Sequence, residues 1–290
     1  MRILITGGAG FIGANLASRG IQDGHEVIVL DNLSRSGTDW NYKWLQSSGK
    51  FEFLKLDIVD FASLSKMFEI KKFDVVFHQA AQVAVTSSVE NPRKDFELNA
   101  LGTFNLLEAI RLSGQNPVFV FASTNKVYGS LSKFEIIEQN GKYAFQDLPN
   151  GVPEEVTLDF YSPYGCSKGA ADQYVIDYNR IYGLKTIVFR QSCIYGPRQM
   201  GIEDQGWVAW FCICALLGHP ISIYGDGKQV RDVLYIDDLV DLYFKAIEIE
   251  PKLKTRAFNV GGGISNSVSL LEVINLLEKE VQKEPIPPRE

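Results

Sequence analysis

Directly after the apolar run Ile3-Leu4-Ile5-Thr6 the chain reads Gly7-Gly8-Ala9-Gly10-Phe11-Ile12-Gly13, and an amphipathic segment, Phe11 to Gln22, begins inside that glycine cluster. A strand that turns through glycines into a helix opens a parallel βαβ unit, and each glycine of this spacing has a physical task. Gly7 permits the tight turn, Gly10 lets backbone approach a pyrophosphate, and Gly13 lets the helix pack closely on the strand. The helix N-terminus, with Phe11 and Ile12 in it, attracts the phosphate charge. The opening of the chain therefore predicts a dinucleotide site.

The same rhythm continues. Apolar runs at Glu26 to Leu30, Phe51 to Leu56, Asp74 to His78, Val118 to Ala122 and Thr186 to Arg190 alternate with helical segments at Phe61 to Ile70, Pro92 to Leu112 and Pro163 to Tyr182. Such alternation predicts an α/β fold, a Rossmann-type doubly wound parallel sheet with helices on both faces. Residues 1–190 read as the nucleotide-binding domain. Residues 191–290 break into Gly/Pro-punctuated pieces with a helix expected from Asp204 to Leu217, and read as a smaller substrate-binding subdomain, with 235–260 returning to the main sheet. Ser130 to Thr157 reads as a long, polar, irregular insertion, and the tail Pro285 to Glu290 as a chain that continues into a further strand.

With 46% hydrophobic and 22% charged residues the 290-residue chain can bury a large core, and its net charge of -6 gives no basic surface for nucleic acid. No apolar stretch approaches the length of a membrane span, and the N-terminus enters a strand rather than a leader; a cytoplasmic protein is expected. The four cysteines, Cys166, Cys193, Cys212 and Cys214, have no metal or redox spacing and read as reduced packing residues, with no metal site.

The chemistry concentrates at a few strand ends. Asp31, about twenty residues past the glycines, is placed to bond the adenosine ribose and repel a 2′-phosphate, favouring NAD over NADP; Arg35 nearby leaves NADP open. Asp57 and Ile58 end the third strand near the expected adenine. After His78, read as a hydrogen-bonded structural histidine, Gln79, Ala80 and Ala81 line the fourth strand end, the small alanines admitting the cofactor. Tyr164 and Lys168 in Tyr164-Gly165-Cys166-Ser167-Lys168 share one helix face. A neighbouring ammonium favours phenolate, so Lys168 reads as the activator of Tyr164 as general base, with Ser123 or Thr124 orienting a substrate hydroxyl. Arg190, Arg198 and Arg231 are candidate clamps for a substrate diphosphate, Arg231 foremost. Trp207 and Trp210 read as core.

Together the Thr6–Gly13 turn, the Tyr164/Lys168 pair and the segment Arg231 to Asp238 (RDVLYIDD) resemble the extended short-chain dehydrogenase/reductase family of nucleotide-sugar epimerases and dehydratases, over essentially the whole chain. The resemblance implies NAD as cofactor, with Asn32, Ser34, Gln82, Asn99, Ala122 and Gln191 joining the cofactor contacts alongside Tyr164 and Lys168. It implies Thr86, Ser87, Asn125 and Cys193 at a nucleotide-sugar substrate, and a homodimer or homotetramer paired through helices near 95–112 and 163–182. Where the family's dehydratases carry Asp-Glu, this chain has Asn125-Lys126, which argues against loss of water. The stretches STNKVYG, DQGWVAWF and GKQVRDVL resemble members acting at carbon 2 of a CDP-linked dideoxy sugar in lipopolysaccharide O-antigen assembly. UDP-hexose 4-epimerisation stands as the alternative, and a non-catalytic NAD-binding regulator as a third reading.

Overall fold

Along the first strand, β1 (Arg2–Thr6), Ile3, Leu4 and Ile5 are all fully buried, with no exposed alternation, as a strand covered on both faces requires. The structure, a computed structural model, describes residues 1–281 and 288–289. From β1 the chain runs through α1 (Phe11–Gln22), β2 (Glu26–Leu30), α2 (Thr38–Ser48), β3 (Glu52–Leu54), α3 (Phe61–Ile70) and β4 (Val75–His78). It continues through two short helices, α4 (Val85–Glu90) and α5 (Pro92–Phe96), then α6 (Gly102–Leu112), β5 (Val118–Thr124), a hairpin of β6 (Ile136–Gln139) and β7 (Lys142–Phe145), the long α7 (Ser162–Tyr182) and β8 (Thr186–Gln191). The remainder comprises β9 (Cys193–Tyr195), α8 (Trp207–Leu217), β10 (Ile221–Ser222), β11 (Val230–Tyr235), α9 (Ile236–Ile249), β12 (Ala257–Val260), β13 (Ser267–Ser269), α10 (Leu270–Val281) and the pair Pro288–Arg289, β14.

Seven parallel strands form the main sheet in the order β12-β8-β5-β4-β1-β2-β3. The order reverses between β1 and β4, the place where such sheets open a crevice at their carboxyl ends. Alternate residues of β1 serve opposite faces: Ile3 and Ile5 pack with Leu16, Tyr243 and Phe244 of α1 and α9, and Leu4 with Leu64, Phe68, Leu106 and Val175 of α3, α6 and α7. A third cluster, Phe211, Cys214, Ile221 and Val273 with Trp207 and Trp210 against it, joins α8 to α10. Outside the main sheet β11 pairs parallel with β9 and antiparallel with β13, and β14 pairs with β10. Of the tail expected to enter a further strand, the rest lies outside the described residues.

Three sequence expectations change. The single helix expected over 92–112 is interrupted at Glu97–Leu101 by one wide turn in which the Gly102 N–H reaches the Glu97 carbonyl. Its apolar period runs on unbroken, so the widening leaves no trace in the pattern; such turns gather at functional sites. The insertion is not irregular throughout, because Asn140 (φ 54°) and Gly141 (φ 76°) close the β6–β7 hairpin. Asn-Gly between two β-prone runs is the strongest short hairpin signal and was there to be read. Third, α8 starts at Trp207 rather than Asp204, after Gly206 in the left-handed region (φ 76°). Among the described residues no helix is long and apolar enough to cross a membrane, and no group of three or more His, Cys, Asp or Glu could hold a metal ion. Among the described residues no disulfide joins the four cysteines; Cys214 is buried, but Cys166 is exposed and is no packing residue.

Candidate active site

The glycine turn sits at the reversal point, and Gly7 and Gly13 are sterically obligatory in it. A Cβ on Gly7, whose φ is +64°, would lie 2.6 Å from the Ala80 nitrogen at the end of β4, and one on Gly13 would lie 2.2 Å from the Gly7 carbonyl. A Cβ on Gly10 would meet only the Gly7 carbonyl, at 3.0 Å, so its outer side is open. Gly10 also begins α1 without a side-chain cap, which leaves the first-turn N–H groups of α1, including those of Phe11 and Ile12, to an incoming anion. Asp31 is buried at the end of β2, its carboxylate accepting the N–H groups of Ala9 at 3.0 Å and Leu33 at 2.8 Å. Burial pushes its pKa up and the two N–H donors pull it back. It thus braces the glycine turn.

Around it Asn32 donates to Asp57 at 2.8 Å and accepts the N–H of Ser34, which is exposed. Arg35 donates to Gln205, and loss of surrounding water lowers its pKa. The Ile58 side chain is buried against Gly102, which leaves its backbone to meet the crevice. Gln79 and Gln191 likewise turn their amides onto the Tyr243 hydroxyl, at 2.9 and 2.8 Å, leaving backbone at the strand ends to meet a ligand. Ala80 and Ala81 are half-buried beside the turn, and the Gln82 N–H donates to Asn99 while its Oε1 is buried without a partner. An open cradle over Gly10, uncapped helix N–H groups and an orphaned amide oxygen fit a dinucleotide.

Across the crevice, α7 and the end of β5 bring the reactive side chains together. Tyr164 is hydrogen-bonded to Thr124; burial raises its pKa to about 12, the Thr124 bond opposes the rise and Asp95 adds to it. Lys168 is buried one turn along, donates to the Ala122 carbonyl at 2.5 Å and lies 4.2 Å from the centre of the Phe121 ring. Burial lowers its pKa to about 7 against the pull of Asp172 and Asp95. Beside the expected activation of Tyr164 by Lys168, burial is the largest influence on the protonation of both groups. Ser123 is also corrected: its hydroxyl is held by Asp172 at 2.7 Å, which leaves Thr124 as the residue that orients a substrate hydroxyl.

Asp95, Asp172, Tyr128 and Asn259 were not singled out from sequence. Asp95 accepts from Ser167, and Asn99, in the wide turn, donates to both at 3.1 Å, tying α5 to α7 behind Tyr164. Asp172 and Arg190 form a buried bidentate pair, with both nitrogen–oxygen distances at 3.0 Å. Arg190 also donates to Tyr128, which donates to Asn259, and Asn259 holds the Val152 carbonyl. Arg190 is thus no diphosphate clamp; a buried guanidinium with all its partners inside the protein is structural. No sequence spacing signals these contacts, whose partners come from separate elements. His78 is bonded on both ring nitrogens, to Thr6 at 2.7 Å and Thr103 at 2.9 Å, as a structural histidine should be.

On the β9–β11 side, Arg231 is exposed on β11, its hydrogen bond among the described residues being to its neighbour's carbonyl, and Cys193 is half-buried on the adjacent β9. Asn125 is exposed just past Thr124, and Thr86 and Ser87 are exposed on α4, which packs against α7. Arg198 moves to the other end of the crevice: its guanidinium lies 4.0 Å over the Trp44 ring, and it lines a cleft with Gly10, Phe11 and Arg35. It stands with the cofactor groups, apart from Arg231.

Residues 3–261 match the NAD dependent epimerase/dehydratase family. The chain is 50% identical over 283 residues to the CDP-paratose 2-epimerase of Salmonella typhi, covering 96% of this chain and 84% of that one. It is 38% identical over 267 residues to the UDP-glucose 4-epimerase of Mycolicibacterium smegmatis, covering 92% and 79%. Among solved structures, the UDP-glucose 4-epimerase of Thermus thermophilus in complex with NAD superposes with a TM-score of 0.80 at 32% identity, over 100% of this chain and 86% of that one. A family match over nearly the whole length, joined to a glycine cradle facing a Tyr164–Lys168 helix, makes this chain a member of the NAD-dependent epimerase/dehydratase family.

Proposed function

We propose that this enzyme converts CDP-paratose to CDP-tyvelose by inverting carbon 2 through a transient 2-keto sugar. The observation that carries a redox epimerisation is the Tyr164–Thr124 hydrogen bond at the sheet's carboxyl end, with Lys168 one helical turn away and the glycine cradle opposite. The choice of carbon 2 is supported by the half identity with the Salmonella 2-epimerase, above the 38% to the mycobacterial 4-epimerase. Bound NAD supplies a reversible hydride acceptor and, when oxidised, a positive ring. Gly7, Gly10 and Gly13 with the α1 N-terminus hold its pyrophosphate, Asp31 its adenosine ribose.

Tyr164 takes the proton of the sugar 2-hydroxyl and later returns it, while Thr124 holds that oxygen in line. Its pKa, raised by burial, means that positive charge beside it is needed to reach the phenolate, and Lys168 is placed to contribute. The lysine meanwhile fixes the Ala122 carbonyl at the end of β5. Arg231 and Asn125 face the substrate, with Thr86 and Ser87 on the opposite wall. A homodimer or homotetramer paired through α5, α6 and α7 is supported by Phe96, Leu112, Ile181 and Tyr182, all exposed there. A cytoplasmic location is supported by four cysteines with no disulfide among them.

The test is substrate deuterated at carbon 2. The 2-epimer should keep the label in full, and denatured protein should release NAD without any having been added. Washout into solvent would mean direct proton abstraction from carbon, and inversion at carbon 4 would establish UDP-hexose chemistry instead.

A further inference from the structure

We propose that Lys126 is a substrate-binding residue which, with Arg231, holds the phosphate attached to the sugar and thereby directs carbon 2 to Tyr164. The proposal rests on the carbon 2 reading and adds a residue that decides it. Lys126 lies in the tight turn after β5, where its N–H donates to the Thr124 hydroxyl at 3.2 Å. Its carbonyl accepts the Gly129 N–H at 3.2 Å and faces Gly165, on which a Cβ would sit 3.4 Å away. The backbone of Lys126 is therefore wedged between the residue bonded to Tyr164 and the first turn of α7.

Its side chain is exposed, and the strand ends bring it to the Arg231 side of the crevice: Thr124 pairs with Gln191 at the end of β8, Cys193 follows on β9, and β9 pairs with β11, the strand that carries Arg231. Neither Lys126 nor Arg231 pairs with a carboxylate among the described residues. Loss of water lowers the lysine's pKa and Arg231 lowers it further. Two cations on one side of a crevice with no carboxylate partner repel one another, and an anion placed between them reverses the sign of that interaction.

The identity of that anion follows from the sugar. Only the anomeric carbon and one bridging oxygen separate carbon 2 from phosphorus, so seating the 2-hydroxyl on Thr124 and Tyr164 brings the sugar's phosphate close to them. Carbon 4 lies across the ring, and seating it there carries the phosphate away. A cation two residues from Thr124 suits the first geometry and is misplaced for the second. Inversion also needs the keto sugar to show both faces while its phosphate stays put, and an ammonium with rotatable donors tolerates that turning better than a planar fork.

The experiment is calorimetric titration of NAD-loaded wild type, Lys126→Met and Lys126→Arg with cytidine diphosphate and cytidine monophosphate, the uridine pair being run in parallel. The monophosphate lacks the phosphate that carries the sugar. Lys126→Met should weaken the diphosphate about tenfold to a hundredfold, the worth of a charge-assisted hydrogen bond, while the monophosphate changes much less. Lys126→Arg should recover most of the diphosphate affinity, and KM for the nucleotide sugar should rise in Lys126→Met more than kcat falls. Equal weakening of both nucleotides, or of neither, overturns the proposal. Structural damage would instead appear as lost NAD and a lowered Tm that arginine does not restore, and that result also overturns it. The carbon 2 reading is judged separately on wild type with labelled sugars, so the two fail in different measurements.

Discussion

Tyr164 and Lys168 show how far one residue's chemistry depends on its surroundings. Their spacing on one helix face is readable from sequence, but their protonation is not: burial moves the phenol up to about 12 and the ammonium down to about 7. Replacing Tyr164 by Phe keeps the buried ring and removes the hydroxyl that Thr124 holds. Turnover should drop by roughly two to four orders of magnitude, the usual worth of a general base, with Tm and bound NAD unchanged. Steady-state rates and the nucleotide content of the purified variant check this; loss of cofactor in step with activity would make Tyr164 structural. Of the two hydroxyls expected to orient a substrate, that of Thr124 meets Tyr164 and that of Ser123 meets Asp172, although the two are neighbours. Consecutive strand residues point to opposite faces, and at the end of β5 that alternation gives one hydroxyl to the crevice and the other to Asp172.

Between elements, the least legible feature is the chain of contacts from α7 to the insertion. Asp172 joins Arg190 on β8, Arg190 joins Tyr128, Tyr128 joins Asn259 on β12, and Asn259 holds the Val152 carbonyl and, through its N–H, Glu154. The segment leading into α7 is thus fastened to the far edge of the sheet. Asn259→Ala should free that segment, raising KM for the nucleotide sugar several-fold with NAD content unchanged, because the cofactor cradle lies on the other side of the sheet's reversal point. Kinetics and limited proteolysis within 149–161 are the measurements, and an unaltered cleavage rate would show that the segment is held by other contacts. The β6–β7 hairpin is anchored separately, Tyr143 bonding Asp226 at 2.6 Å and Lys228 bonding Glu138 at 2.8 Å beside the Arg231 strand. Such exposed ion pairs contribute little to stability, about 0–1 kcal/mol, so their importance is in placing the loop.

For the whole molecule, the buried histidine beneath the crevice couples folding to pH. His78 is driven from 6.5 to about 3 by burial and then by the charge of Lys168. In that interval the unfolded chain binds a proton that the folded chain refuses, so this contribution is complete above pH 6.5 and is lost as pH falls towards 3. The slope is at most about 1.4 kcal/mol per pH unit. Asp31, Asp95 and Asp232, whose pKa values are raised by burial, act in the opposite sense as they protonate. Urea unfolding of wild type and His78→Gln across pH 7 to 5 separates the two, and a variant that loses stability as steeply as wild type would clear His78.

What the sequence determined by itself was everything carried by local pattern: continuous apolar runs that can only be buried strands, the helical period between them, the glycine spacing after β1, and the four-residue step from Tyr164 to Lys168. These depend on neighbours along the chain, where spacing and geometry are the same thing. Tertiary structure alone decided which polar groups face the crevice and which face one another. It turned Arg190 onto Asp172, Ser123 onto the same carboxylate, and Ile58 under Gly102. Each of those outcomes pairs residues from different elements, and a polar side chain leaving water takes whichever partner the packing brings within hydrogen-bond reach.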